Sequence, residues 1–241
     1  MVSRSMTQMR TKISLILTNL GSNRTLTKSR SSRLKRMTTI GLALVGLTLS
    51  ALPAAADAKT EAYVQTNASE VLATLNDPAL TADQRTKAFS MYMDKFTDLD
   101  AVSNFVIGKY SRRFTDAELA AYRKAFRAYA LAVYENQLDD YRGKEVIVKD
   151  SVDRSATDSI VNTVIKRQDG KDMDVRWRVL YRDGKYQVVD VALNLDGNLI
   201  WLGIEQRAQF IALLDRSNGS AEVLINKIES MTTDLKTSKR S

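Results

Sequence analysis

The sequence contains no cysteine, no histidine and only two prolines. Without cysteine there is no disulfide framework, no thiol nucleophile and no attachment point for a lipid anchor. Without histidine the chain lacks the usual metal ligand and the usual general base, so Ser-His-Asp and Cys-His mechanisms are excluded. Glycine-rich phosphate loops and EF-hand spacings of acids are also absent from the sequence.

An acid-only active site is the one enzymatic hypothesis that these absences leave open. Its candidate groups are Asp158, Asp190 and Glu205, of which Asp190 stands in an apolar strand sequence where burial would raise its pKa. A neighbouring tyrosine would complete such a site. The alternative is that Asp190 points outward or pairs with an arginine of the next strand. We therefore predict a binding protein with no catalytic residues, no metal and no cofactor.

The N-terminal region has the pattern of an export signal. An uncharged apolar run at residues 38–53 follows Arg33, Lys35 and Arg36 and precedes the small residues AAADA. The run is shorter than the roughly 20 residues that a membrane-spanning helix needs. Residues 37–58 are predicted to be a signal peptide, cleaved after Ala56 or Ala58. Residues 1–36 are then a basic, acid-free leader or the product of a mis-assigned start codon.

The net charge of +8 belongs to this leader. Residues 1–36 contain nine Lys and Arg and no acid, whereas the rest of the chain contains 27 basic and 28 acidic residues. The high isoelectric point is therefore no argument for a nucleic-acid partner. Residues 59–235 have the length of one domain, and residues 236–241 are predicted to be a flexible tail.

Apolar spacing predicts four helices, then a sheet, then two helices. The first four helices are predicted at residues 61–76, 81–96, 98–107 and 115–141. Strands are predicted at residues 145–150, 159–168, 173–182 and 186–193, with Asp169-Gly170 and Asp183-Gly184 as hairpin turns. The closing helices are predicted at residues 199–214 and 220–235. This order predicts an α+β domain with an antiparallel meander of about four to five strands, whose helices and sheet either pack solid or enclose an apolar pocket between them.

The fourth helix has the strongest signal. Thr115 and Glu118 have the spacing of a capping box. Its apolar stripe is aromatic and contains Tyr122, Phe126, Tyr129 and Tyr134. Tyrosine carries a polar tip, so this stripe is either ordinary core or a wall that faces an amphipathic ligand.

Two segments resemble the MlaC family, also called the toluene-tolerance family. Residues 106–148 contain the family's Leu-Gly-x-Tyr/Trp motif as Ile107-Gly108-Lys109-Tyr110, a capped aromatic helix, and its Tyr-x-Gly motif as Tyr141-Arg142-Gly143. Residues 174–214 contain a Gly turn, a Val-x-Asp-Val strand and an Arg-x-x-Phe helix at Arg207 and Phe210. The resemblance covers about residues 60–230. The segment Leu195-Asp196-Gly197-Asn198-Leu199 departs from the usual turn and resembles variants found near hopanoid-synthesis genes.

The resemblance implies a soluble periplasmic lipid carrier that binds phospholipid acyl chains in a deep pocket. The implied partners are phospholipid, an inner-membrane ABC transporter complex with its substrate-binding subunit, and an outer-membrane lipoprotein–porin complex. Two alternatives stay open, an adaptor module without lipid cargo and a carrier of hopanoid or another apolar lipid.

The pocket prediction combines the aromatic helix, the alternating strands and the apolar junction at residues 190–210. The predicted pocket residues are Phe105, Val106, Tyr110, Tyr122, Phe126, Tyr129, Val133, Val164, Val175, Trp177, Val179, Val191, Leu195, Trp201, Leu202 and Phe210. Lys109, Arg112 and Arg113 are predicted to contact an anionic head group, the alternative being solvated surface cations. Trp201 and Leu202 are predicted to form the pocket wall or its gate, with a plug of the core as the alternative.

Overall fold

The computed structural model describes residues 58–137, 143–167, 170, 172–195 and 197–238. The predicted leader and nearly all of the predicted signal peptide lie outside these residues. So do Tyr141, Arg142 and Asp169, together with the side chains of residues 134–137, 195 and 238. Among the helices within the described ranges, none is both long and apolar enough to cross a membrane.

Within the described residues, four α-helices and one short 3₁₀ helix precede the sheet. They are α1 (Ala58–Asn76), α2 (Ala82–Phe96), α3 (Leu99–Ile107), the 3₁₀ helix (Gly108–Arg112) and α4 (Asp116–Gln137). Each of three helices begins at a residue whose side chain accepts a backbone N–H bond: Thr81 from Gln84, Asp98 from Ala101, and Thr115 from Glu118. The predicted capping box at Thr115 is therefore present, because Glu118 also accepts a bond from the Thr115 backbone nitrogen at 2.8 Å.

A five-stranded antiparallel sheet follows in the order of the chain. Its strands are β1 (Gly143–Ser155), β2 (Asp158–Arg167), β3 (Asp172–Arg182), β4 (Lys185–Leu195) and β5 (Asn198–Trp201). The β3–β4 hairpin turns at Asp183 and Gly184, whose φ angles of 49° and 76° both lie in the left-handed region that such two-residue turns require. The chain ends in α5 (Leu202–Arg216) and α6 (Ala221–Ser238). The predicted α+β order and meander are thus confirmed.

Strand β1 runs five residues beyond its predicted end at 150, and two further differences concern the end of the chain. Residues 198–201 form strand β5, whereas the sequence suggested that a helix starts at 199, because Leu199 and Ile200 pair with Asn194 and Leu193 of β4. Local apolar spacing cannot reveal that cross-strand pairing. The last helix also continues through Ser238, into the segment predicted to be a tail.

The helices divide between two regions of the domain. Helices α3, α4, α5 and α6 pack around a cluster of fully buried side chains, among them Tyr122, Phe210, Leu214, Leu224 and Ile228. We call this cluster the closed core. Helix α1 instead lies along the edge strand β1, where Gln65 donates to the carbonyl of Val146 and accepts from the Val148 nitrogen. Those bonds occupy backbone groups that an edge strand otherwise leaves open.

Candidate binding cavity

A cavity of about 400 Å³ lies between helices α1 and α2 and the inner face of the sheet. Helices α3, α4 and α5 complete its wall. This volume falls within the range of about 300–1,000 Å³ that is usual for small-molecule sites. Apart from a few polar groups the wall is hydrocarbon. Its main apolar members are Val64, Ala68, Val71, Leu72, Leu75, Phe89, Tyr92, Met93, Phe96, Val102, Val106, Phe126, Tyr129, Ala130, Val133, Val146, Ile165, Met173, Val175, Trp177, Val188, Val189, Val191, Leu193 and Leu202.

Helical spacing brings one face of α1 to the cavity. Val64, Ala68, Val71, Leu72 and Leu75 recur at intervals of three and four residues and share that face. Sequence periodicity identified these positions as apolar but did not place them at the pocket. Helix α2 contributes a second wall that the prediction also omitted. The periodicity shows which helix face is buried, not whether a packed core or a void lies opposite it.

Strand alternation brings one face of the sheet to the cavity. Trp177 lies opposite Val191, and Val175 lies opposite Leu193, so the inner residues of β3 and β4 form adjacent rows. The Trp177 indole nitrogen donates to the Thr163 hydroxyl of β2 at 2.9 Å, which fixes the ring against the wall. The Thr163 hydroxyl in turn donates to the Val175 carbonyl at 3.1 Å.

The cavity reaches the surface near the start of α5. Leu202 lines the cavity and is nevertheless 37% exposed. Ile204, two residues later, is 53% exposed. The first turn of α5 therefore forms part of the rim, where an elongated ligand can enter or protrude.

Asp190 is the one charged residue among the lining side chains. Its Oδ1 accepts hydrogen bonds from the backbone nitrogens of Val191 and Gly203, both at 2.8 Å. The residue that precedes α5, Trp201, provides no side-chain cap, so Asp190 caps this helix from the neighbouring strand. A Cβ at Gly203 would lie 3.0 Å from Asp190 Oδ1, which explains why a glycine occupies this contact.

Burial raises the pKa of the Asp190 carboxyl above its ordinary value, while the two backbone hydrogen bonds and nearby Arg178 oppose that shift. Arg178 lies opposite Asp190 in the sheet, but its guanidinium forms a paired hydrogen bond with Asp158. Within the described residues, no group of three or more acids is placed to hold a metal ion. The geometry gives Asp190 a structural role at the helix start.

Tyr129 and Gln206 form a second polar contact on the wall. The Tyr129 hydroxyl donates to Gln206 Oε1 at 3.0 Å, and burial raises the pKa of Tyr129 above its usual range. The Gln206 amide nitrogen is buried, and no described residue accepts a hydrogen bond from it.

The structure places eight of the predicted pocket residues on the cavity wall. They are Val106, Phe126, Tyr129, Val133, Val175, Trp177, Val191 and Leu202. These residues come from three helices and two strands, so the aromatic helix and the alternating strands do meet at one space. Leu202 lies on the wall and is partly exposed, and its role as a gate stays a prediction.

Four other predicted pocket residues belong to the helical side of the molecule. Tyr122 and Phe210 are completely buried in the closed core, where the Tyr122 hydroxyl donates to the Ser103 carbonyl at 2.9 Å. Tyr110 joins the same core, and its hydroxyl donates to Asp215 at 2.7 Å. Phe105 is 39% exposed and lies beneath the guanidinium of Arg207, 4.9 Å from its ring centre. Helix–helix packing, which spacing alone does not reveal, removes Tyr110, Tyr122 and Phe210 from the wall, whereas Phe105 lies at the surface.

The remaining predicted pocket residues lie on or near the sheet. Val164 is buried on the outer face, because its neighbours Thr163 and Ile165 point inward. Val179 packs one layer behind the wall, against Val64 and Val161. Trp201 pairs with Ala192, whose neighbours on both sides line the cavity, and so lies on the opposite face. The side chain of Leu195 is outside the described residues.

The predicted head-group cations lie away from the cavity wall. Lys109 forms an ion pair with Asp215 at 2.8 Å, and Arg113 lies over the Tyr110 ring. Arg112 is exposed at the end of the 3₁₀ helix. None of these three side chains lines the cavity that the structure describes. The surface alternative describes their positions better than a contact with bound cargo.

Two of the sequence motifs meet in space. Gly108 has a φ angle of 55°, and a Cβ there would lie 2.6 Å from the guanidinium of Arg207. That guanidinium donates to the backbone carbonyl of Phe105, at the end of α3. The glycine of the first motif therefore makes room for the arginine of the second, and together they join α3 to α5.

The fold has a counterpart among solved structures. A phospholipid-binding protein from Ralstonia solanacearum, solved in complex with a phospholipid, is similar with a TM-score of 0.61 and 21% sequence identity. The similarity covers 73% of this chain and 98% of that protein. No curated protein sequence matches the chain. The family model described as MlaC protein matches residues 65–230, which is more than half of the sequence. The chain belongs to the MlaC family.

Proposed function

We propose that this protein is a periplasmic carrier that binds phospholipid acyl chains in the cavity and moves lipid between the outer and inner membranes. The observation that carries the proposal is the hydrocarbon-lined cavity of about 400 Å³ between the helices and the sheet. Ordinary protein cores are packed to a density of about 0.75, without voids of this size. The phospholipid bound by the structurally similar Ralstonia protein supports the choice of cargo.

The energetics of transfer favour a shielding mechanism. Each methylene group removed from water contributes about 0.8 kcal/mol. Two acyl chains with on the order of 30 methylenes therefore gain roughly 20 kcal/mol or more before the costs of binding are subtracted. Cargo held this tightly does not leave unaided at a useful rate. Release consequently depends on a partner at the membrane that opens the cavity or accepts the lipid.

The proposed partners are an inner-membrane ABC transporter complex, through its substrate-binding subunit, and an outer-membrane lipoprotein–porin complex. The predicted signal peptide at residues 37–58 supports export of the mature chain to the compartment between them. No nucleic acid is expected among the partners, because the mature region is close to neutral. Vesicles that carry the inner-membrane complex should accept labelled lipid from the loaded protein faster than bare vesicles do.

The binding proposal is tested on protein purified after export. Native mass spectrometry should show an adduct with the mass of a phospholipid, and extraction with organic solvent should release the same lipid. Recovery of a hopanoid would keep the carrier function and change its cargo. Protein that contains no lipid and acquires none from phospholipid vesicles would contradict the proposal and favour the cargo-free adaptor.

A further inference from the structure

The apolar cavity contains a polar corner near the rim. Gln206 of α5 and Tyr129 of α4 both line the cavity and hydrogen-bond to each other at 3.0 Å. Gln206 follows Leu202 by four residues and therefore lies one helical turn further in on the same face of α5. Leu202 lines the cavity and is 37% exposed. The corner thus lies just below the point where the cavity reaches the surface.

The side-chain amide of Gln206 has an oxygen that is hydrogen-bonded and a nitrogen that has no partner among the described residues. Its Oε1 accepts the Tyr129 hydroxyl proton, whereas its Nε2 is buried and no described residue accepts a hydrogen bond from it. Buried polar groups in proteins nearly always have a partner, and an unpaired one is unfavourable. The bond from Tyr129 orients the amide, so the free donor belongs to a group whose position is already fixed.

Two other polar groups of the cavity wall are already engaged. Asp190 Oδ1 receives two backbone hydrogen bonds that hold the start of α5. The Trp177 indole nitrogen donates to Thr163. Gln206, by contrast, offers cargo a buried hydrogen-bond donor that no described residue takes up.

When the acyl chains of a diacyl phospholipid fill the cavity, the hydrogen-bond acceptors of the lipid lie at the depth of this polar corner. The ester carbonyls lie between the hydrocarbon chains and the polar head, and a carbonyl accepts hydrogen bonds without donating any. We infer that the Gln206 amide nitrogen binds an ester carbonyl of the cargo, oriented for that contact by Tyr129. This inference rests on the proposed lipid-carrier function. It makes Gln206 and Tyr129 a subsite that selects ester lipids over ether lipids and hopanoid hydrocarbons.

The test compares two synthetic phospholipids with the same head group and chain lengths, one diacyl and one dialkyl ether. The ether lipid keeps the hydrocarbon and lacks the carbonyls. Wild type should bind the diacyl lipid about five- to tenfold more tightly, the range that one hydrogen bond to a neutral group supplies. Gln206→Met, which keeps the length of the side chain and removes the amide, should bind both lipids with the affinity of the ether lipid.

Two further variants keep the test decisive. Asn67→Leu removes the other amide from the lining, on α1, and should leave the ester preference unchanged. Gln206→Asn withdraws the amide by one methylene and replaces Gln206→Met if that variant fails to fold, with the same loss of preference expected. Tyr129→Phe should reduce the preference in part, because Tyr129 only orients the amide.

The outcomes separate the subsite from the carrier function. Equal affinity of the wild type for the two lipids, or an ester preference that survives in Gln206→Met, would overturn the subsite and leave the carrier function intact. A wild-type protein that binds neither lipid would overturn the carrier function itself.

Discussion

The closed core and the cavity are built from the same kinds of residues. They differ in whether the surrounding elements pack against each other or leave a void between them. In the closed core, Tyr122, Phe210 and Leu224 have no exposed surface because α4, α5 and α6 interdigitate. On the other side of the domain, the apolar faces of α1, α2 and the sheet are held apart around about 400 Å³. Helix α4 belongs to both regions, since Ala125 lies in the closed core and Ala130 lines the cavity. An apolar sequence pattern is therefore common to both regions. A region becomes a binding site only where no other element packs against its apolar face.

The largest expected effect is the loss of stability that follows when a side chain of the closed core is truncated. Phe210→Ala removes a completely buried ring that packs against Phe126 and Tyr129. Truncation of a buried phenylalanine costs about 3–5 kcal/mol, so urea unfolding should show a loss of stability of that size. The amount of lipid bound per folded molecule should change little, because Phe210 does not line the cavity. A loss below about 1 kcal/mol would show that this region is not close-packed.

A matched pair of substitutions on α4 compares the two regions directly. Ala125→Phe adds a ring to the closed core and should cost about 1–3 kcal/mol or more by overpacking. Ala130→Phe adds the same ring where the structure has a void and should cost less. It should also lower the amount of lipid recovered with the protein, since the ring takes the place of cargo. Equal destabilisation by both variants would contradict the distinction between core and cavity.

Removal of single hydrogen bonds should show the same difference between the closed core and the cavity, with smaller changes in the free energy of unfolding. Tyr122→Phe removes the bond from the Tyr122 hydroxyl to the Ser103 carbonyl in the closed core, at a cost of about 1 kcal/mol. Tyr92→Phe removes a hydroxyl that shares a hydrogen bond with Thr74 on the cavity side, where both residues are half-buried. We expect a smaller change in the unfolding free energy there, because the freed group can be hydrated. Denaturant midpoints of the two variants measure the difference.

The smallest effect concerns pH and the lone acid of the cavity wall. Burial raises the folded-state pKa of Asp190 above its ordinary 3.8, so the folded protein holds this proton more tightly than the unfolded chain. The stability gained from protonation is complete below pH 3.8 and is lost as the pH rises through the raised value. Asp190→Asn keeps an oxygen for the Gly203 N–H and does not titrate. Wild type should therefore lose stability relative to Asp190→Asn across that window, whereas parallel pH profiles would refute a raised pKa.

The sequence predicts most of the fold because local chemistry determines it. The capping box at Thr115 and the turn at Asp183-Gly184 place α4 and the β3–β4 hairpin directly. Strand β5 escapes prediction because its pairing with β4, and not its own residues, makes it a strand. The segment Leu195-Asp196-Gly197-Asn198-Leu199 predicts a turn, and Gly197 adopts a φ angle of 87°.

The site is harder to predict than the fold because a void has no sequence signature of its own. Tyr122 and Tyr129 are seven residues apart on one aromatic stripe, yet the first packs against α3 in the closed core and the second reaches the cavity. Val164 and Ile165 are both buried, and strand alternation sends only Ile165 to the cavity. The polar partner Gln206 stands on α5, and only the fold brings it to Tyr129.

The central claim is that acyl chains occupy the cavity, and the two tryptophans of the chain can report it. Trp177 lines the cavity, whereas Trp201 does not. Phospholipid with brominated acyl chains quenches tryptophan fluorescence at short range and can be loaded into Trp201→Phe and Trp177→Phe. The account predicts strong quenching of Trp177 in the first variant and weak quenching of Trp201 in the second. Equal quenching in both variants, or loading without quenching of Trp177, would contradict it.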